Sequence, residues 1–193
     1  PKDRRCLVEL CKLIKTYHIK YKVLGNGSNL LFSDKLYDGV LIKLDEFDKI
    51  EFVRNKVICG AGASLMKVAR EAMKRSLAGL EFASGIPGTI GGAIYMNAGA
   101  YKSDMGYITT NVTVLTDDLK IITLTNSEMD FHYRSSYLQK HKDYICLEAV
   151  LKLTKGDKKE IEAITKERRE RRIESQPLEY PSAGSVFRNP EGM

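Results

Sequence analysis

Residues 83–101, ASGIPGTIGGAIYMNAGAY, hold five glycines and a proline in nineteen positions. Gly85, Pro87, Gly88, Gly91, Gly92 and Gly99 are too many to be turn punctuation alone. A segment so poor in side chains carries a large ordering cost unless something sizeable packs on its bare backbone. A flat ring or a diphosphate is one candidate, and close packing of backbone between two sheets is the other.

A second glycine loop lies upstream, in LGNGSNLL (24–31). Gly25 and Gly27 fit the start of a dinucleotide fingerprint, but Leu30 stands where its third glycine belongs. The next segment, LLFSD, reads as a strand rather than a helix, and no GK[ST] follows, so neither a Rossmann turn nor a P-loop is indicated. Successive small residues between strands can still turn several N–H groups to one side as an anion-binding nest. Ser28 and Asn29 add side-chain donors. An ordinary turn is the competing reading of this loop. A third glycine turn, GAGAS (60–64), reads as a plain lead into a helix.

Around these loops the periodicities predict an α+β chain. Asp3 caps a helix with Leu7, Leu10, Cys11 and Ile14 on one face. KYKVLG and GVLIKL read as strands, closing a small unit near Asp45. IEFVRNKVICGAG predicts a strand pair turning at Arg54 and Asn55, followed by a Ser64-capped helix with Leu65, Val68, Ala69, Ala72 and Met73 on one face. NVTVLTDDLKIITLT predicts a hairpin around Asp117 and Asp118, and YICLEAVLKLT a long strand. Asp157 and Glu160 open a charged helix to about Glu174, with a boundary at Pro177 and Pro181. The sequence starts at Pro1 and stops at FRNPEGM, which reads as an excerpt of a longer protein.

Thirty-one Lys and Arg against 25 Asp and Glu give a formal charge of +6, compatible with anionic substrates, nucleic acid or a merely basic surface. KERRERR (166–172) interleaves glutamates with its arginines, the pattern of a solvated, self-paired helix face. RNP, helix-turn-helix and zinc patterns are lacking, so a nucleic-acid-binding module is disfavoured. No apolar run reaches the ~18 residues of a membrane span, and no signal peptide is evident, which makes the cytoplasm the default. Cys6, Cys11, Cys59 and Cys146 read as small buried hydrophobes, and His18, His132 and His141 have no metal-ligand spacing.

VLGNGSNLLFSD, GAGASLMKVAR, GLEFASGIPGTIGGAIYMNAGAY, FHYRSS and PSAGSVFRNP, in this order, closely resemble the UDP-N-acetylenolpyruvoylglucosamine reductase family. The likeness spans nearly the whole chain. It implies an α+β, FAD-binding fold of the vanillyl-alcohol oxidase type, with two α/β lobes (1–46, lacking an N-terminal strand, and 47–174), FAD between them, and the start of a substrate-binding region at 175–193. On this resemblance Gly25, Asn26, Gly27, Ser28, Asn29 and Leu30 hold the FAD diphosphate, and Ser84, Gly85, Ile86, Pro87, Gly88, Gly91, Gly92 and Gly99 line the flavin. NADPH is the implied reductant and a UDP-sugar the substrate, in the synthesis of a peptidoglycan precursor. Arg134 matches the arginine that forks onto the substrate carboxylate, and Ser185 the proton donor to C2 after hydride reaches C3. Tyr133 and Asn189 match sugar-nucleotide contacts. A third catalytic residue, a glutamate, has no counterpart, so these 193 residues alone are expected to turn over poorly or not at all. Another FAD oxidase or dehydrogenase of the same fold is the alternative. No metal, nucleic acid or membrane insertion is expected, and a monomer is the default.

Overall fold

The computed structural model describes residues 1–176 and Phe187. Helix α1 (Arg4–Thr16) starts where sequence predicts: Asp3 is extended and its carboxylate accepts from Cys6 N at 2.7 Å. Leu7, Cys11 and Ile14 are buried, and Leu10 is half-buried against them. Strands β1 (Tyr21–Leu24) and β2 (Val40–Lys43) pair in parallel, Tyr21 opposite Val40. The strand expected over LLFSD is absent. Residues 30–33 are irregular, and Leu30, Leu31 and Phe32 are exposed. Alternation creates a strand only where one face is covered and an edge is paired, and among the described residues no strand lies beside this segment.

The larger unit is a five-stranded antiparallel sheet. Strands β3 (Ile50–Val53) and β4 (Lys56–Gly60) form the expected hairpin, with Arg54 at φ 56° in its turn. Then follow α2 (Leu65–Lys74), β5 (Leu77–Ala78), a 3-10 turn (Glu81–Ala83), α3 (Ile90–Met96), β6 (Gly99–Ala100), β7 (Ser103–Asp104) and α4 (Met105–Ile108). The chain continues through β8 (Thr109–Leu115), β9 (Ile121–Thr125), α5 (Tyr137–Lys140), β10 (Ile145–Lys152), β11 (Thr154–Lys155) and α6 (Lys158–Ser175). The sheet order is β3-β4-β10-β8-β9. The last long strand therefore returns to the middle, and nearly all of β10 is buried, on both faces.

One contiguous apolar cluster runs from Leu7, Cys11, Ile14 and Ile42 in the small unit to Val112, Leu147 and Leu151 in the sheet. GAGAS has a steric role beyond leading into α2. A Cβ at Gly62 would sit 1.9 Å from Leu44 O, and one at Gly60 2.1 Å from Phe47 O. The strap linking β2 to β3 crosses here, and only glycine lets it pass. Ser64 then caps α2, accepting from Lys67 N at 3.3 Å.

The charged helix α6 forms as predicted, with Asp157 accepting from Lys159 N and Glu160 N. Its arginine run departs from the expected solvated face. Arg171 pairs with Glu167 at 2.6 Å on the surface, but Arg172 donates to Gly85 O, and the Arg168 guanidinium lies 4.9 Å from the Tyr101 ring centre. Half of the run thus docks α6 on the glycine-rich stretch.

Candidate cofactor and substrate site

Both glycine loops come together on the side chain of Thr89. Its Oγ1 caps α3 by accepting from Gly92 N at 3.3 Å, and a Cβ at Gly25 would approach that oxygen to 2.7 Å. Ser28 Oγ donates to Pro87 O, so the polar tip of one loop is tied to the backbone of the other. Gly27 lies at φ 71°, a left-handed conformation that favours glycine. Among the described residues no acceptor takes the backbone N–H groups of Asn26, Gly27, Ser28 or Asn29. Four consecutive donors are left for water or an anion, as a nest requires.

The stretch 83–101 is held from below. Gly88 O accepts from Leu65 N at 3.0 Å, while Ile90 N donates to Ala63 O and Gly91 N to Ala61 O at 2.9 and 2.8 Å. These bonds stitch the stretch to GAGAS and sort its glycines by cause. A Cβ at Gly91 would meet Ala61 Cβ at 3.0 Å and Ala61 O at 3.2 Å; one at Gly99 would meet Ser103 O at 2.5 Å in the β6–β7 hairpin. Both are glycine because protein presses on them. The opposite holds at Gly27, where nothing lies within 4 Å, at Gly88, which has only Ser28 Oγ at 3.8 Å, and at Gly92, which has only Thr89 Oγ1 at 3.5 Å. Among the described residues no crowding accounts for Gly88 or Gly92, while Gly27 answers to its left-handed φ, and all three sit around one junction. The residues present fit a cofactor with an anionic and a flat part: a donor nest beside a surface kept bare for close approach.

Not every expected cofactor residue faces that junction. Ser84 donates to Glu81 O at 2.9 Å, and Gly85 lies under Arg172. Ser84 also borders a cavity of about 320 Å³ between α2 and α6, lined chiefly by Met66, Met73, Leu80, Ile161 and Arg169. This cavity touches the glycine junction only through Ser84. Ile86 is half-buried against the core. Gly91 and Gly92 of the stretch expected to line a flavin lie in the first turn of helix α3.

Arg134 sits at the far end of α3. Its backbone is left-handed, at φ 54°; Nη2 donates to Gly99 O at 2.8 Å, and the guanidinium lies 5.1 Å from the exposed Tyr133 ring. The turn 132–135 closes on itself through His132 and Ser135 backbone bonds. Ser136 Oγ donates to Tyr95 O at 2.8 Å, and Gln139 Nε2 donates to both Tyr95 O and Arg134 O. The Asp130 carboxylate is clasped by Lys140 at 2.7 Å and His132 at 2.8 Å, and those bonds, Lys140 first, hold its pKa below the ordinary value. Arg134 and the glycine junction are therefore separated by one seven-residue helix, about 10 Å long at ~1.5 Å per residue. Ser185 and Asn189 lie outside the described residues.

Sequence reading missed Thr89 and Asn97, which end α3 on either side. Thr at an N-cap and Asn at a left-handed C-cap are legible signals. Here the surrounding glycines masked them.

The family model described as FAD binding domain matches residues 1–125. The UDP-N-acetylenolpyruvoylglucosamine reductase of Clostridium botulinum is 45% identical over 192 residues, covering 100% of this chain and 63% of that protein. That of Bacillus subtilis is 44% identical over 191 residues, covering 98% and 63%. The chain thus spans less than two thirds of these curated relatives. A crystal structure of UDP-N-acetylenolpyruvylglucosamine reductase from Thermus caldophilus aligns with TM-score 0.78 and 34% identity, over 94% of this chain and 65% of that one.

Proposed function

The chain belongs to the FAD-binding domain family, and from that premise we propose that it is the flavin-holding part of an enzyme that reduces the enolpyruvyl group of a UDP-sugar with NADPH, supplying a peptidoglycan precursor. The observation that carries this reading is the pair Gly88 and Gly92, which no described residue crowds, beside a loop with four N–H donors that no described residue takes. Bound FAD supplies the hydride relay between nicotinamide and substrate. The N–H groups of Asn26 to Asn29, with Gly25 and Leu30 flanking them, receive its diphosphate, and Pro87 to Gly92 admit its ring. We take 1–46 and 47–174 as the two lobes flanking the cofactor, with a substrate-binding region beginning at 175.

The substrate brings a carboxylate on which negative charge grows once C3 gains hydride. A planar guanidinium matches a carboxylate through paired N–H donors, and a preorganised one stabilises developing charge without reorganising. Arg134, held by Gly99 O and by the tethered turn around it, has that role in our reading. Ser185 gives the proton to C2; a weak acid suffices when the acceptor is strongly basic and the geometry is set. Tyr133 and Asn189 contact the sugar nucleotide. NADPH should bleach the visible flavin bands of the complete flavoprotein under anaerobic conditions, and UDP-N-acetylenolpyruvoylglucosamine should restore them. In Ser185→Ala bleaching should keep its rate while restoration slows. A flavin whose bands return only when oxygen is admitted defeats the assignment.

A further inference from the structure

Asn97 is 2% exposed, lies at φ 43° and closes α3. Its side chain spans two other segments: Nδ2 donates to His132 O at 2.8 Å, and Oδ1 accepts from Gly106 N at 2.9 Å. A backbone N–H accepts nothing and a carbonyl donates nothing, so these partners dictate the amide's orientation. Three pieces meet on this one residue: the end of the helix whose start borders the glycine junction, the turn carrying Arg134, and the start of α4. Strain gathers there as well. Of nine described non-glycine residues with positive φ, five (Asn97, Tyr101, Lys102, Asp130 and Arg134) belong to segments 97–102 and 130–134, which touch through Arg134 and Gly99 O. Such conformations persist only where surrounding bonds over-determine them.

Resting on the function proposed above, we infer that Asn97 is a positioning residue: its amide sets the Arg134 turn at a defined distance from the cofactor junction, with α3 as the spacer. Arg134 is on a turn, and bonds from Asn97, Ser136 and Gln139 hold that turn to the helix end. Of these, the Asn97 contact falls within two residues of Arg134 on the N-terminal side and also fixes the helix cap.

Two variants of the complete flavoprotein separate bridge from cap. Asn97→Gly keeps the left-handed backbone, where glycine is at home, and deletes the amide. Asn97→Asp keeps an acceptor for Gly106 N but sets a carboxylate oxygen against His132 O, a contact restored only when that oxygen is protonated. Both variants should bind FAD and be bleached by NADPH as wild type is. The rate at which UDP-N-acetylenolpyruvoylglucosamine restores the flavin bands should fall roughly 10- to 100-fold in Asn97→Gly, the scale of an ångström-sized misplacement. In Asn97→Asp that rate should fall as pH rises, with a titration that wild type lacks. The segments that meet Asn97 carry the titratable or charged groups Asp104, Asp130 with its partners His132 and Lys140, and Arg134, and these are unchanged in the variant, so the wild-type profile is the baseline. Wild-type restoration rates in both variants, a pH profile in Asn97→Asp matching wild type, or loss of FAD from both variants overturns the inference alone. A wild-type enzyme that the enolpyruvyl sugar never reoxidises overturns both readings.

Discussion

A Cβ at Gly88 would meet only Ser28 Oγ, at 3.8 Å, and one at Gly91 would be crowded by Ala61, so two nearby glycines differ in what limits them. Gly88→Val should leave the stability of the flavin-free protein within about 0.5 kcal/mol, since its Cβ makes only an ordinary van der Waals contact and its φ is not left-handed, yet abolish FAD binding in a fluorescence titration. Gly91→Ala should behave oppositely. Alanine in a helix normally gains about 1 kcal/mol over glycine, but here crowding against Ala61 should reverse the sign to a loss of about 1–3 kcal/mol in denaturant unfolding. The cysteines offer a second residue-scale check. Cys6 is exposed rather than buried as the sequence suggests, on the solvent side of α1, while burial raises the thiol pKa values of Cys11, Cys59 and Cys146, the last to about 12. A thiol reagent should label one group rapidly in the native protein and four after unfolding.

At the scale of elements, α2 is tied at its end by charge. Glu71 accepts from Lys74 at 2.8 Å and from Arg75 at 2.6 Å, and these bonds depress its carboxyl pKa to about 2. Arg75 also lies 4.3 Å from the Phe52 ring centre, linking the helix to β3. A folded-state pKa below the unfolded one gives stability that is present above the ordinary carboxylate value of about 4.5 and is lost as pH falls towards 2. Thermal melts of wild type and Glu71→Gln across that window should converge at the acid end, the variant showing the shallower slope. Helix α6 is the converse case. It buries only Ile161 and depends on the Asp157 cap, surface ion pairs and the Arg168 and Arg172 anchors. Its amphipathic signal was correspondingly weak, and the capping residues made it readable.

For the whole molecule the decisive feature is that β10, last of the long strands, occupies the centre of the sheet while α1 shares its apolar cluster. Arg4 reaches Glu148 on β10 at 3.2 Å. The two units expected from sequence should therefore unfold together. Leu151→Ala, at a fully buried position of β10, should cost about 2–5 kcal/mol. In that variant, loss of circular dichroism and the labelling of Cys11 and Cys146 should follow one denaturation curve. A separate early transition for Cys11 would show the small unit to be independent.

Local rules sufficed wherever the deciding interaction lies within a few residues. The caps Asp3, Ser64 and Asp157, the turn at Arg54 and the strand runs of β8, β9 and β10 were readable because capping bonds and strand propensity are short-range physics. The cofactor class came instead from the resemblance that the ordered motifs carry, and the FAD binding domain match agrees with it. Tertiary structure alone decided which glycines the chain presses on and which it leaves open. Gly60, Gly62 and Gly91 are pressed by Phe47, Leu44 and Ala61, while Gly27, Gly88 and Gly92 are not, and those distances arise only once remote segments cross. The same holds for LLFSD, whose pattern suits a strand but which finds no neighbour among the described residues, and for Asn97, whose bridging role exists only because His132 and Gly106 are brought to it. Composition records that a backbone must be approached closely; packing determines by what.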